Sequence, residues 1–307
     1  MPGRLQHLAP RLAFPALIVA NLFLAAGPWM VRLSDVGPVA AGFWRLALAV
    51  PLLGLLAWWQ RGPVGTARPS WPLVGAIALG GLFFAIDIAV WHVGIHQTKL
   101  ANATLFGNFA SFIFAIYGFV LLRRFPARTQ TIALLLALFG TFLLLGRSYE
   151  VSAQHLVGDL LCLLAAPFYA LYLIAVDRAR RTVAPFPTLF IATAAGALPL
   201  LAAAIFLGEQ VLPEAWTPVL LLSLSSQVVG QGLLVFAMGH LSPLVVGIGL
   251  LTQPIASAAI GWAAYGETMG VPDVGGAALI CIGLVLIRAP QRPAEPVPLA
   301  TTPRQDH

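Results

Sequence analysis

The third long apolar run of this sequence, residues 71–95, carries an aspartate near its centre. Asp87 is followed four positions later by Trp91, which puts both side chains on one face of a helix, with His92 beside them. A carboxylate, an indole and an imidazole around one cavity suit a zwitterionic solute with an aromatic side chain, because the carboxylate attracts an ammonium and the rings stack. The alternatives are a structural ion pair between Asp87 and Arg45 and an interfacial position for His92.

Amide and phenol side chains form a second group of polar residues inside apolar runs. Asn108 offers both donors and an acceptor, and Gln227 and Gln231 are four apart, so they form one polar stripe. Tyr169 and Tyr172 carry hydroxyls that need partners at membrane depth. We predict that these groups line the same cavity as Asp87, against the alternatives of helix–helix hydrogen bonding and aromatic packing.

Three further positions complete the set of chemically active residues. Gln253 precedes Pro254, which removes a backbone donor and either frees a carbonyl for a solute or bends the helix. Arg45 is predicted to pair with an aspartate, Asp35 or Asp87, and alternatively to attract a substrate carboxylate. Glu267 is predicted to cap a turn. The predicted substrate-binding residues are therefore Asp87, Trp91, His92, Asn108, Tyr169, Tyr172, Gln227, Gln231 and Gln253.

The composition places these residues in a membrane protein. Of 307 residues, 59% are hydrophobic and only 9% are charged, and the mean hydropathy is +0.89, whereas soluble domains are about 25% charged. The net charge of +6 is spread over short loops and tails, so we predict no nucleic-acid partner. Cys162 and Cys281 lie inside apolar runs and are expected to be packing residues. No metal-ligand spacing is present in the sequence, and we predict neither a metal nor a cofactor.

Ten apolar runs predict an all-α integral membrane protein with ten transmembrane helices. Most are near 20 residues, the length needed to cross a hydrocarbon core of roughly 30 Å, and they are continuous rather than alternating, which favours helices over a β-barrel. The proline-rich tail, residues 289–307, is expected to be disordered. The runs are 12–31, 39–59, 71–95, 100–122, 129–146, 156–176, 188–207, 218–238, 243–265 and 271–287.

The basic residues predict the orientation. The side of the membrane that holds the N-terminus and every second loop carries thirteen arginines, and the other side carries three basic residues. Because basic loops stay in the cytoplasm, both termini are predicted to be cytoplasmic, in a bacterial inner membrane.

A shift of 143 residues brings the two halves of the chain into register. It places Asn108 on Leu251, Arg124 on Glu267 and Gly140 on Gly283. The predicted halves are residues 12–147 and 148–288, each with five helices, after a cytoplasmic N-terminus of residues 1–11. Because five is odd, the second half must enter the membrane from the opposite side. This is an inverted repeat around a central cavity, an architecture of many secondary transporters.

Short motifs in a specific order resemble the drug/metabolite transporter superfamily in its ten-helix EamA-type branch, over nearly the whole chain. The resemblance implies two inverted halves around a central cavity and transport without ATP hydrolysis, and it is closest to bacterial exporters of aromatic and other neutral amino acids. Arg124 stands where the family often carries a glutamate, so no role is transferred to it. The motifs are Gly27-Pro28-Trp29, Phe43-Trp44-Arg45, Gly158-Asp159-Leu160, Pro167-Phe168-Tyr169-Ala170-Leu171-Tyr172, Ser225-Ser226-Gln227, Gln253-Pro254, Gly266-Glu267 and the glycines from Gly275 to Gly283.

These observations predict a secondary transporter that exports amino acids or related metabolites by alternating access. Its partners would be a small-molecule substrate and the lipid bilayer, and we expect a monomer. Asp87 is the candidate proton carrier, although one carboxylate at depth also fits facilitated efflux. Phosphate-rich cargo is a second hypothesis, and it is disfavoured because the spans hold a single arginine. An intramembrane enzyme or a channel is the third, and the sequence contains no hydrolase motif to support an enzyme.

Overall fold

In the computed structural model, helices joined by short connections make up the described residues, and no strand occurs among them. The predicted turn residues Arg124 and Glu267 and the predicted tail lie outside the described residues, which are 2–60, 69–122, 127–146, 154–265 and 270–288. The helices are α1 (Pro2–Ala25), α2 (Gly27–Leu33), α3 (Pro38–Ala47), α4 (Ala49–Trp59), α5 (Trp71–Gln97), α6 (Leu100–Gly107), α7 (Phe109–Leu122), α8 (Arg128–Gly146), α9 (Leu156–Arg180), α10 (Pro185–Phe206), α11 (Trp216–Leu221), a π-helical segment (Leu222–Gly230), α12 (Gln231–Met238), α13 (Pro243–Leu250), α14 (Gln253–Tyr265) and α15 (Val271–Arg288).

Eight apolar helical segments in this part of the chain are long enough to cross a bilayer. Two shorter apolar helices, Arg128–Leu144 and Val271–Ile287, follow the fourth and the eighth of them. The ten segments coincide with the ten apolar runs of the sequence. The prediction of an all-α membrane protein with ten spans is confirmed.

The fourth and ninth spans are both interrupted near their middle. The fourth breaks at Asn108, between α6 and α7, and the ninth breaks at Leu251, between α13 and α14. Pro254 lacks a backbone N–H and so contributes to the second break. The shift of 143 residues superposes Asn108 on Leu251, so the two interruptions are equivalent positions of the repeat. Interrupted helices in transporters typically line the solute cavity.

The contact between α8 and α15, the last spans of the two halves, shows how the halves are related. A Cβ atom on Gly140 would lie 2.6 Å from the carbonyl oxygen of Gly276, and one on Gly283 would lie 2.7 Å from that of Ala133. The shift of 143 relates Gly140 to Gly283 and Ala133 to Gly276. The same contact therefore occurs twice with its partners exchanged, as a two-fold axis requires.

This seam allows a stability prediction with a control on the same helix. Gly276→Ala would put a methyl group 2.6 Å from the nitrogen of Leu144, so we expect a loss of about 1–3 kcal/mol in the free energy of unfolding. Gly275→Ala meets no atom within 4 Å and should not destabilise. Thermal unfolding of both variants in detergent tests this, and equal melting temperatures would contradict the symmetric seam.

Glycines also let the spans around the centre pack closely. A Cβ on Gly81 of α5 would clash with the carbonyl oxygen of Ala192 on α10, and one on Gly94 would lie 2.7 Å from the sulfur of Cys162 on α9. Side chains larger than hydrogen would therefore push these helices apart. The close packing fixes α5 beside α9 and α10, and α5 carries Asp87 and Trp91.

Candidate functional site

A cavity lies between the two halves, with about 680 Å³ of empty space including the solvent at its mouth. Both helix interruptions contribute to it, through Asn108 on one side and Gln253 on the other. Its wall combines opposite charges, amides, hydroxyls and aromatic rings. The lining residues are Leu24, Gly27, Pro28, Arg45, Phe84, Asp87, Trp91, Thr104, Gly107, Asn108, Ser111, Tyr169, Ser226, Gln231 and Gln253.

Six of the nine predicted substrate-binding residues line this cavity, namely Asp87, Trp91, Asn108, Tyr169, Gln231 and Gln253. The other three, His92, Tyr172 and Gln227, are buried but do not line it. Tyr172 and Gln227 contact residues that do, so they support the wall from behind.

Asp87 is buried on α5, with 9% of its surface exposed, and faces the cavity. Among the described residues, no side chain or backbone group donates a hydrogen bond to its carboxylate, and no basic nitrogen lies within 4.0 Å. A charge at the centre of a membrane helix costs about 2.5–3.5 kcal/mol on insertion scales. A carboxylate held there without a direct hydrogen bond or ion-pair contact favours a ligand-binding role over a structural one.

Arg45 is the cationic residue of the cavity wall. It is 5% exposed on α3, and its Nε donates to Oε1 of Gln227 at 3.2 Å, while Nε2 of Gln227 donates to Oγ1 of Thr193 at 3.0 Å. The guanidinium carbon lies 5.3 Å from the centre of the Phe84 ring, a cation–π distance. The predicted ion pair of Arg45 with Asp35 or Asp87 is wrong, because the amide of Gln227 holds the guanidinium instead.

Asp35 lies outside the spans, in the connection between α2 and α3. Its Oδ2 accepts hydrogen bonds from the N–H groups of Ala215 and Glu214, each 2.8 Å long. The bond from Ala215 contributes most to lowering the pKa of Asp35 below its usual value. Asp35 therefore joins two loops at the membrane edge and leaves Arg45 to the cavity.

Phe84 and Tyr169 line one wall of the cavity, and Tyr172 stacks against both rings from behind. Phe84 and Tyr172 have ring centres 4.4 Å apart at 16°, and Tyr169 and Tyr172 are 5.8 Å apart at 24°. The hydroxyl of Tyr172 donates to Oε1 of Gln231 at 3.2 Å, and Nε2 of Gln231 donates to the hydroxyl oxygen of Tyr169 at 3.1 Å. Gln231 therefore satisfies both phenols and fixes the orientation of the wall.

Trp91 and His92 diverge although they are neighbours in sequence. Nε1 of Trp91 donates to the carbonyl oxygen of Ala103 at 3.3 Å, and the ring lines the cavity. The imidazole of His92 points to α3, where Nδ1 lies 2.9 Å from the carbonyl oxygen of Pro38. A direct contact between His92 and a substrate stays a prediction that this geometry does not favour.

Gly107 makes room for the Trp91 indole, because a Cβ there would lie 3.0 Å from Nε1. We expect Gly107→Val to push the ring into the cavity and to reduce transport of large aromatic solutes about tenfold more than that of small ones. Gly75→Ala on α5 meets nothing within 4 Å and is the matched control. Uptake of a large and a small solute by proteoliposomes measures the ratio, and an unchanged ratio would contradict a substrate contact at Trp91.

The comparisons with known proteins agree with this architecture. A model of the EamA-like transporter family matches residues 12–146 and again residues 156–289. The chain belongs to the EamA-like transporter family. It is therefore a multi-pass membrane transporter, and the resemblance seen in its motifs is confirmed at the level of the family.

Two individual relatives add detail to the EamA-like assignment. A protein of Archaeoglobus fulgidus described as an uncharacterized transporter is 23% identical over 159 residues, which are 51% of this chain and 54% of that protein. The chain thus matches about half the length of this relative. A solved structure titled "Crystal structure of protein" has a TM-score of 0.71 at 20% identity, covering 91% of this chain and 97% of that one. At this identity the likeness shows the fold alone.

One end of the cavity of this EamA-like protein is closed where α7 packs against α13. A Cβ on Gly247 would lie 2.7 Å from the carbonyl oxygen of Ser111, and one on Gly118 would lie 3.6 Å from Cβ of Leu244. Further along α7, the hydroxyl of Tyr117 is 3.4 Å from Oδ2 of Asp177. Beyond Ser111 no residue of α7 lines the cavity, so this contact separates the cavity from that side of the membrane.

The opposite end is organised differently. Thr104 on α6 is the repeat equivalent of Gly247, and it lines the cavity. The start of α6 is fastened to α9 by Asp159, which accepts hydrogen bonds from Oγ1 of Thr98 at 2.5 Å and from Nδ2 of Asn102 at 3.0 Å. Equivalent segments of the two halves thus have different surroundings, closed at one end and facing the cavity at the other.

The sequence interpretation missed Phe84 and Thr104 as wall residues, and it gave Arg45 a contact with the substrate carboxylate only as the alternative to an ion pair. Arg45 is the single arginine within the ten apolar runs of the sequence, and Phe84 precedes Asp87 by one helical turn. Those two signals were available from sequence. Nothing in the sequence distinguished Thr104 from the other small residues of α6.

Proposed function

We propose that this transporter exports neutral, chiefly aromatic, amino acids or related metabolites by alternating access. The observation that supports this most is the carboxylate of Asp87, which has no direct ion-pair contact and shares a cavity between the two halves with the tilted rings of Phe84 and Tyr169. An ammonium group can occupy the carboxylate, and an apolar or aromatic side chain can pack on the rings.

The proposed mechanism exchanges one helix contact for its repeat equivalent. The structure has α7 packed on α13, while the equivalent Thr104 of α6 faces the cavity. Rocking of residues 12–147 against residues 148–288 would open the first contact and close the second, because inverted halves can adopt each other's arrangement. Substrate bound at the centre would then meet each side of the membrane in turn.

We further propose that the closed end is cytoplasmic and that the protein acts as a monomer in a bacterial inner membrane. The end of α7 and the start of α13 lie on the side that carries most of the arginines. Basic loops remain in the cytoplasm, so both termini would be cytoplasmic. In this arrangement the cavity faces the extracytoplasmic side.

A transporter of phosphorylated solutes is the alternative within the same superfamily. Such cargo requires several cationic groups around the phosphate. Within the described residues, Arg45 is the basic side chain on the cavity wall, and the carboxylate of Asp87 shares that wall. One cation beside an anion is a poor phosphate site, so we favour amino acids.

Counterflow in liposomes tests the proposed function. Purified protein is reconstituted, loaded with one unlabelled compound and given radiolabelled L-phenylalanine outside. We expect saturable accumulation driven by internal neutral amino acids and none driven by nucleotides or sugar phosphates. Exchange that is driven only by phosphorylated compounds, or flux that never saturates, would reject the proposal in favour of the alternative cargo or a channel.

A further inference from the structure

Two opposite charges line the same cavity and do not pair. No nitrogen of Arg45 lies within 4.0 Å of an oxygen of Asp87, although the two charges are close enough to interact electrostatically. Both side chains are more than nine-tenths buried. Buried opposite charges normally form direct contacts, because each loses its hydration and gains most from the other. A separated pair at the centre of a membrane protein requires a reason.

The neighbours of Arg45 supply the means of separation. Its Nε is occupied by Oε1 of Gln227, which Thr193 holds in turn, and the Phe84 ring lies against the guanidinium. The two terminal guanidinium nitrogens have no hydrogen-bond partner in the described part of the chain. The side chain is thus anchored at its base while its bidentate end remains available to a ligand on the cavity side.

We propose that Arg45 holds the carboxylate of the substrate and Asp87 holds its ammonium, so the transporter selects zwitterions. This inference rests on the proposed function and assigns its substrate class by the two charged ends. An anion alone would satisfy Arg45 and be repelled by Asp87, and a cation alone would meet the reverse. A molecule with both groups gives each buried charge a partner. The rings beside Arg45 would contact the side chain of that molecule.

The first test uses the unmodified protein, so its result does not depend on whether a variant folds. Counterflow is measured with radiolabelled L-phenylalanine against internal L-phenylalanine, phenethylamine or 3-phenylpropionate. The last two compounds keep the ring and lose one charged group each. We expect each to drive exchange at least about tenfold less effectively than L-phenylalanine, the effect of one lost charged hydrogen-bonding partner. Exchange with phenethylamine as effective as that with L-phenylalanine would overturn the assignment of Arg45 to the carboxylate. Equally effective exchange with 3-phenylpropionate would overturn the assignment of Asp87 to the ammonium.

Two variants test which residue binds which charged group of the substrate. Asp87→Asn should reduce L-phenylalanine exchange and shift the preference at least about tenfold toward 3-phenylpropionate, while Arg45→Gln should shift it by a similar factor toward phenethylamine. Asp159→Asn removes a buried carboxylate on α9 that does not line the cavity, so it should keep the original order of preference whatever its expression level.

The outcomes separate the two proposals. If the unmodified protein exchanges no amino acid at all, the proposed function fails. If it exchanges L-phenylalanine but both variants retain the original order of the three compounds, the function stands and the assignment of Arg45 and Asp87 is wrong. Melting temperatures of the variants, measured with and without L-phenylalanine, show whether a loss of exchange is a loss of binding. A variant that melts as the unmodified protein does, and is still stabilised by L-phenylalanine to the same degree, would also overturn it.

Discussion

A disulfide between positions 118 and 244 should stop transport completely, and a reductant should restore it. A Cβ on Gly118 would lie 3.6 Å from the Cβ of Leu244, within the range of about 3.5–4.5 Å found in disulfides. The double variant Gly118→Cys, Leu244→Cys should therefore cross-link α7 to α13 spontaneously under oxidising conditions. If this contact must open once in each transport cycle, a covalent bond across it keeps the cavity open to one side of the membrane only.

The measurement uses a background in which Cys162 and Cys281 are replaced by alanine. Counterflow of L-phenylalanine is compared before and after oxidation and again after reduction, with the two single-cysteine variants as controls. Full transport by the oxidised 118–244 protein would refute α7–α13 as a moving contact.

The fold was predictable because a bilayer imposes strong constraints on sequence. Each span must satisfy its own backbone groups and bury about 20 apolar residues, so the ten runs were visible and all ten became helices. The odd number of spans in each half then implied inversion, and the paired glycines at positions 140 and 283 were its local trace. Glycine is informative here because close helix contacts in membranes require small residues.

The candidate site was less predictable, because the direction of a polar side chain depends on which helix lies beside it. Trp91 and His92 are adjacent, yet one lines the cavity and the other contacts the carbonyl oxygen of Pro38. The two glutamines on one stripe also separate in role, since Gln231 reaches the wall and Gln227 holds Arg45. Their spacing predicted a shared face but not the shift introduced by the π-helical segment that contains Gln227.

Arg45 shows the limit most clearly. From the sequence, a lone arginine near two aspartates suggested an ion pair, because an unpaired charge at membrane depth is costly. The structure satisfies Asp35 with backbone N–H groups and anchors Arg45 with a neutral amide. A direct ion pair is expected where two buried charges serve stability alone. Two separated charges are expected where the protein must also bind a charged solute.

Gln227→Glu should sharply weaken amino-acid transport at low substrate concentration while making the protein more stable. The substitution keeps the shape of the side chain and puts a carboxylate oxygen where Oε1 now lies, 3.2 Å from Nε of Arg45. The hydroxyl of Thr193 can reverse and donate to the second oxygen. Arg45 would then be neutralised from behind by a permanent partner, and a substrate carboxylate would bind beside a fixed negative charge. We expect the KM for L-phenylalanine to rise about 10- to 100-fold, the effect of losing one charged hydrogen-bonding group.

A gain of stability distinguishes neutralisation of Arg45 from misfolding of the variant. The reason is that the buried guanidinium acquires an ion-pair partner that it lacks in the unmodified protein. The melting temperature in detergent should rise, and the maximal rate at saturating substrate should change less than KM does. Gln227→Met is the matched control: it removes the amide without adding a charge, so Arg45 keeps its charge but loses its anchor, and KM should rise less while the melting temperature falls. If Gln227→Glu transports L-phenylalanine with an unchanged KM, the guanidinium of Arg45 does not bind the substrate carboxylate. A glutamate carboxylate against the guanidinium would necessarily weaken the binding of a second carboxylate there.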